Sequence, residues 1–444
     1  MKVIVVGGGI SGIAAAHYLR AAGAETILVE AGAQLGGRLG FGHLGEQPIS
    51  FGGKNIGSRY KEFRSFCASL GVDDFEYFGI NTSRIENGRL VSFDRRKRLN
   101  ALYRLLAGNR PRDLWHFFRW ARRVRQHPED GFADSRFFHQ LAAELGNPVL
   151  KNIFSERFCR EWIRPMVVRM NGAETDEAYL ASFGSNLRVA LDSYDQLSSG
   201  MESLIEKFAA TTEVMLNTRA RSLDIEGGRV RGVVLEDADG REQRIAADAV
   251  CVALPAPHAA TLIRPHAGGL AALLARIRYF PVHLIVAQYK REIFRPEVRA
   301  VIFDDNSVLS NAGAYGANDL ATVRYTFSGR AARQLITAEG DDDGFLTRAE
   351  QQLNAYIPVS KNDRVRFASR TFDPGLCAFS SDTYGLNRKL AAQSSLRGAF
   401  FTGDYCKGAS IEACFASSKE CVGRIMDVAA PIVREENAEM ESLI

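Results

Sequence analysis

The chain has 444 residues, more than one hydrophobic core usually serves, so about two to three domains are expected. An apolar fraction of 46% is enough to fill them, and a formal charge of +4 over this length gives no reason to expect nucleic acid as a partner. The seven cysteines (Cys67, Cys159, Cys251, Cys377, Cys406, Cys414 and Cys421) are odd in number and form no CxxC pair. That argues against a disulfide framework or a metal site, and for a reducing, cytoplasmic setting.

The start, MKVIVVGGG, lacks the length and cleavage pattern of a signal peptide, and no apolar stretch reaches membrane-spanning length. Residues 2 to 6 read as a buried parallel strand, residues 10 to 22 as an alanine-dense helix stopped by Gly23, and TILVE as a second strand. Gly7, Gly9 and Gly12 form GxGxxG at that strand-to-helix turn, with Ile10 and Ser11 between the last two. Such a turn lets the backbone approach a pyrophosphate at the positive end of the helix. Glu30 ends the second strand, eighteen residues past Gly12, and Ala31 follows it. A carboxylate there accepts from both ribose hydroxyls and repels a 2′-phosphate.

From 60 to 71, Phe63, Phe66, Cys67 and Leu70 recur at helical spacing before a glycine stop. The stretch from about 99 to 210 is largely helical by pattern and is read as a cap. Residues 89 to 125 hold twelve Lys or Arg against two acidic residues, with Trp and Phe interleaved in RDLWHFFRWARRVRQ. A helix of this kind at 95–125 suits an anionic membrane surface or an anionic substrate or carrier protein; equally, it packs its aromatics inward with its arginines solvated. From 213 the period becomes two, and EVMLNTRARSLDIE, RVRGVVLED and REQRIAADAVCVALP read as a three-stranded meander with a buried last strand. Strands follow at VHLIVAQY, TVRYTFSG and VRFASRTF, with a helix at about 343 to 356 capped by the run Asp341, Asp342 and Asp343. The chain closes with RGAFFTGDY, a long helix and a frayed tail.

Gly36, Gly37 and Arg38 extend the N-terminal fingerprint with GGR, and FGGKNIG carries a second glycine pair, Gly52 and Gly53. At the far end, TGDYCKGASIEACFASSKECV (402–422) places Gly403 and Asp404 after a strand and Ser410 and Ile411 at the opening of a helix. Together these motifs resemble those of the flavin amine oxidase and carotenoid (phytoene) desaturase superfamily, to which protoporphyrinogen oxidases also belong. The resemblance implies an α/β fold: a Rossmann-type FAD-binding domain of the GR2 kind with a mixed-sheet substrate domain and a helical cap. It implies FAD as cofactor, with Arg38 against the pyrophosphate, Gly52 and Gly53 beside the isoalloxazine ring, and Asp404 at the ribityl chain or pyrophosphate. The helix from about Ser410 would aim its N-terminus at the flavin carbonyl, where its dipole favours the reduced ring. SSGMESLIEKFA and the meander after it resemble the family's central segment, which puts the Ala220 backbone along the adenine. The implied organisation assembles the FAD-binding domain from three segments, 1–80, 201–265 and 386–444, the last including the tail. The helical cap and substrate domain occupy 81–200, and the substrate sheet 266–385.

The marks of a monoamine oxidase differ. Where many amine-oxidising members carry a lysine on the strand VHLIVAQYKREIF, this chain has Leu284, with His283 beside it. A one-residue slip of register would turn His283 to the flavin; without it His283 is a core histidine. The two tyrosine-cage positions read Ala378 and Ser410, and Cys377 in DPGLC falls near the position of a flavin-linking cysteine, although non-covalent FAD is expected. Lys54 follows the second glycine pair, as a charge partner for flavin or substrate or as a surface lysine. The closing motif comes nearest to phytoene desaturases. The expected activity is dehydrogenation of a small, lipophilic or anionic substrate by hydride transfer to flavin N5, with His283 and Lys54 as catalytic candidates. The alternatives are an amine or amino-acid oxidase releasing hydrogen peroxide, and a non-redox isomerase or mutase.

Overall fold

The computed structural model describes residues 1–78, 82–86, 88–93, 103, 105–303, 307–337, 341–392 and 396–441. Strand β1 (Lys2–Val6), helix α1 (Ile10–Ala21) and strand β2 (Glu25–Val29) open the chain, β1 and β2 pairing in parallel from Lys2↔Glu25 to Val6↔Val29. Both strands are Val and Ile rich because both of their faces are covered. Ala14, Ala15 and Ala16 are fully buried, so α1 lies close on the sheet and shares one apolar cluster with Phe415, Val422 and Ile425 of the terminal helix Ile411–Glu441. Gly23, at φ 81°, turns the chain back into β2.

The parallel sheet has five strands, in the order Glu213–Met215, β2, β1, Ala249–Val252, Ala399–Phe401. It therefore draws on the start, the middle and the end of the chain. The central β segment differs here from its reading as one meander. The antiparallel meander comprises only Arg219–Glu226, Arg229–Glu236 and Glu242–Ala246, while the flanking Glu213–Met215 and Ala249–Val252 belong to the parallel sheet. Burial explains the division. Ala249–Val252 is buried at every position, as a strand covered on both faces must be, whereas Glu242–Ala246 is mostly exposed.

A second large sheet has seven strands, in the order Arg364–Phe379, Arg278–Tyr289, Thr322–Phe327, Asn311–Ala314, Ala300–Ile302, Thr82–Glu86, Arg89–Phe93. It is antiparallel except where Ala300–Ile302 runs parallel to Thr82–Glu86. The last four of these strands are short, Ala300–Ile302 having only three residues and the other three carrying Arg, Ser, Asn or Gly, so period-two alternation does not announce them. Helix Asp342–Asn354 packs on this sheet, and the Asp341 side chain caps it by accepting the Gly344 N–H.

The cap contains helices Pro111–Gln126, Arg136–Glu144, Arg164–Asn171 and Phe183–Ala190 around a core of Trp120, Phe138, Phe154, Phe158 and Phe183. It is less purely helical than its pattern, because Tyr194–Leu197 is a strand in a small sheet with Ile56–Gly57 and Phe75–Tyr77. Helix Pro111–Gln126 buries Trp120 and Val124 but leaves Trp115 55% and Phe118 42% exposed. Residues 94–102 and 104 of the basic run lie outside the described residues. No described helix is long and apolar enough to cross a membrane.

Candidate functional site

One cavity of about 1340 Å³ runs from the ends of β1 and β2, past the start of the terminal helix, to the face of the seven-stranded sheet. It exceeds the roughly 300–1,000 Å³ of a site for one drug-sized ligand, which leaves room for two molecules end to end.

At its first end the backbone is arranged for a dinucleotide. Gly7 stands at φ 106°, and a Cβ on Gly12 would collide with the Gly7 carbonyl oxygen, so the β1–α1 turn closes only with glycine at both places. Gly9 is the N-cap of α1, makes no side-chain cap, and has nothing within 4 Å of where its Cβ would sit. The first N–H groups of α1 are thereby left free of side-chain acceptors beside Gly9, Ile10 and Ser11, all three of which line the cavity. Gly12 lies behind them and serves the turn itself. Glu30 accepts the Gly8 N–H at 2.7 Å on one carboxylate oxygen and the Gly32 N–H at 2.7 Å on the other, and it lines the cavity with Ala31 and Ala220. These uncapped donors, this fixed carboxylate and the space a Cβ at Gly9 would fill fit an adenine dinucleotide.

Farther along, Gly37, Arg38, Gly52, Gly53, Gly403, Asp404, Ser410 and Ile411 line the same space. A Cβ on Gly52 would collide with the Arg38 carbonyl oxygen, which explains the second glycine pair. Arg38 donates to Asp404 Oδ2 at 2.7 Å and to the Gly375 carbonyl at 2.9 Å, and Tyr279 donates to Asp404 Oδ1 at 2.6 Å. Burial opposes the Arg38 charge, but Asp404 beside it more than offsets this and holds the guanidinium above its ordinary value. Ser410 accepts the Ala413 N–H at 3.2 Å and so caps the terminal helix, whose first turn faces the cavity. Cys377 also lines it, with its thiol pushed well up by burial and then by Asp404.

The remaining walls belong to the seven-stranded sheet and the cap: Leu284, Ile302, Arg324 and Phe372 on one side, and Trp162, Met166 and Arg169 on the other. Lys54 joins them. Its ammonium donates to the Tyr315 carbonyl and lies 3.2 Å from the centre of the Tyr315 ring, and burial, then Arg324, holds it well below the usual lysine value.

His283 does not reach this space. Val282 and Leu284 line the cavity, and alternation along Arg278–Tyr289 turns His283 to the other face of the sheet. There its ring packs 4.5 Å from that of Phe345, and its Nδ1 lies 2.8 Å from Thr371 Oγ. The one-residue slip that would make it catalytic is absent, and His283 is a core residue. Among the described residues the His, Cys, Asp and Glu side chains close enough to share a metal ion are His127, Glu129 and Asp130, outside the cavity lining, and Asp130 is already engaged by Arg123 at 2.6 Å and Ser135 at 2.7 Å.

Four residues escaped the sequence. Glu412, inside the closing motif, accepts the N–H groups of Lys61, Glu62 and Phe63 at 2.8, 3.1 and 3.1 Å, tying the terminal helix to the start of helix Lys61–Ser69. Tyr279 braces Asp404 from a strand without a motif. Arg324, a lone charge in the apolar strand TVRYTF, and Arg169 were the remaining signals; a charge inside a buried strand is the pattern that would have found the first.

Residues 10–426 match the profile of the family described as flavin containing amine oxidoreductase. The coproporphyrinogen III oxidase of Mycobacterium tuberculosis is 28% identical over 291 residues, 58% of this chain, and the chain spans 60% of that relative's length. Among solved structures, cyclohexylamine oxidase from Brevibacterium oxydans superposes over 97% of this chain and 99% of its own, with a TM-score of 0.74 at 18% identity. Putrescine oxidase bound to putrescine does so over 96% and 99%, with a TM-score of 0.69 at 14% identity. At such identities the likeness is one of fold.

Proposed function

Because the chain belongs to the flavin containing amine oxidoreductases and is an FAD-dependent oxidoreductase, we propose that it dehydrogenates a small organic molecule held in the chamber between the seven-stranded sheet and the cap. The observation that carries this reading is the continuity of the cavity: the dinucleotide end and the chamber are one space. When bound, FAD supplies the hydride acceptor at N5.

The chain's own residues do the rest. Glu30 would hold the ribose hydroxyls, the α1 N-terminus and Arg38 would meet the pyrophosphate, and the positive end of the terminal helix would favour the reduced ring. Trp162, Met166, Leu284 and Phe372 exclude water and orient the reacting carbon. Lys54, whose charge is disfavoured by burial and then by Arg324, is the group on the chamber wall suited to take a proton at Nζ from a substrate N–H or O–H as the hydride leaves. Cys377, its thiol held protonated, stays unlinked to the flavin.

The apolar Leu284 at the place of the family's lysine supports a dehydrogenase that passes electrons to an acceptor other than oxygen. The test is anaerobic mixing of the holoenzyme with candidate substrates. Bleaching of the flavin band, and turnover with a quinone faster than with oxygen, is the expected result. The oxidase activities named for the cyclohexylamine and putrescine enzymes favour a second reading, in which oxygen is the acceptor. Peroxide formed in equal amount to product, with oxygen alone present, would establish it. Acid precipitation should release all of the yellow chromophore.

A further inference from the structure

Several of the molecule's shielded arginines are paired with carboxylates. Arg164 holds Glu174 at 2.6 and 3.0 Å, Arg364 holds Glu350 at 2.7 Å, and Arg38 holds Asp404 at 2.7 Å. Arg169 on helix Arg164–Asn171 and Arg324 on strand Thr322–Phe327, both half-buried, are not so paired. Both line the chamber, and among the described residues neither has a carboxylate within 4.0 Å. Arg324 Nε is buried with no hydrogen-bond partner.

Leaving two guanidiniums in an apolar wall without a counter-charge is costly unless a ligand completes them. The cost is visible in both groups. Burial lowers Arg169, and burial together with Arg169 brings Arg324 down to about 10 although the Tyr315 hydroxyl opposes the fall. The cofactor does not account for them, since its anionic portion has donors of its own in the α1 N-terminus and Arg38, whereas Arg169 stands on the cap helix with Met166 and Arg324 on the sheet that carries Leu284.

We propose that the substrate carries an oxyanion head group, a carboxylate or a phosphate, on an apolar body, and that Arg169 and Arg324 grip the head group while Trp162, Met166 and Leu284 hold the body. A planar guanidinium presents paired N–H donors that match two oxygens of such a group, and in a water-poor chamber these charge-assisted bonds are strong. This assignment names the substrate class of the dehydrogenase reading and rests on it only for which molecule is oxidised.

The experiment is a binding titration of the FAD-loaded protein, followed by the shift of the flavin visible band, with 3-phenylpropionate, phenethyl phosphate and the uncharged 3-phenylpropan-1-ol. At least one anion should saturate, and the preferred one identifies the head group. Arg169→Met and Arg324→Met should each weaken its affinity tenfold or more, Arg324→Lys should recover part of the loss, and the alcohol should bind all four proteins alike. Equal affinity of wild type for anion and alcohol, unchanged anion affinity in both Met variants, or no saturable shift with either anion overturns the proposal. FAD content and thermal midpoint are read for every variant. A protein that keeps FAD and binds the anion but never bleaches with any substrate would retain this assignment and lose the dehydrogenase reading.

Discussion

Glu30 spends one oxygen on the Gly8 N–H and the other on the Gly32 N–H, so the carboxylate is fixed before any ligand arrives. Glu30→Gln sets an amide NH2 against one of these N–H donors. FAD affinity should fall about tenfold, or ~1.4 kcal/mol, read by titrating the apoprotein with FAD. Lys54 makes a different prediction. Its folded value lies below the unfolded one, so the folded state binds fewer protons over the window between the two, and stability rises with pH through that window. Lys54→Met removes the slope. Its gain in thermal midpoint should be larger at about pH 6 than at about pH 10, and an equal gain at both would contradict the assignment. His283→Gln should leave the flavin spectrum and turnover unchanged and cost about 1 kcal/mol in urea unfolding. At this scale the sequence was readable where a residue answers to its own backbone, as Gly7, Gly12 and Glu30 do. It was silent on Arg169 and Arg324, whose meaning comes from walls contributed by distant segments. His283 shows the middle case, since the strand was legible but the face it presents depends on a single step of register.

Elements carry the turn and the caps. Gly12→Ala forces a methyl into the Gly7 carbonyl and should abolish FAD binding with loss of fold, whereas Gly9→Ala meets nothing in the protein and fills cofactor space instead. The second variant should therefore keep its unfolding midpoint as apoprotein and lose FAD affinity, which separates a structural glycine from a cradle glycine one turn apart. Glu412→Ala removes the acceptor of three N–H groups at the start of helix Lys61–Ser69 and should cost about 1–3 kcal/mol, measured by denaturant unfolding. The helices and the long strands follow from periodicity because their buried faces repeat. The short strands Ala300–Ile302, Asn311–Ala314 and Thr82–Glu86 do not, for so few residues with Arg, Ser and Gly among them contain too little pattern to outvote a loop. The meander was overextended for a related reason. Its outer segments share the β period, and only burial on both faces assigns them to another sheet.

The whole molecule closes one sheet from four stretches of chain: residues 2–29, 213–215, 249–252 and 399–401. A ligand bound across that closure stabilises all of them at once. With free FAD at a hundred times its dissociation constant the gain is about 2.7 kcal/mol, and hydrogen exchange should slow together in β1, Ala249–Val252 and the start of the terminal helix. Protection confined to the N-terminal βαβ unit would show that the far end takes no part. The same arrangement governs how the protein is made. While a ribosome has yet to deliver residues 399–401, strand Ala249–Val252 has its β1 side paired and its other side open, an apolar edge presented to every neighbouring nascent chain. The last tenth of the chain is thus the seal on the sheet, and a transcript broken before it yields a template for aggregation in place of a smaller enzyme.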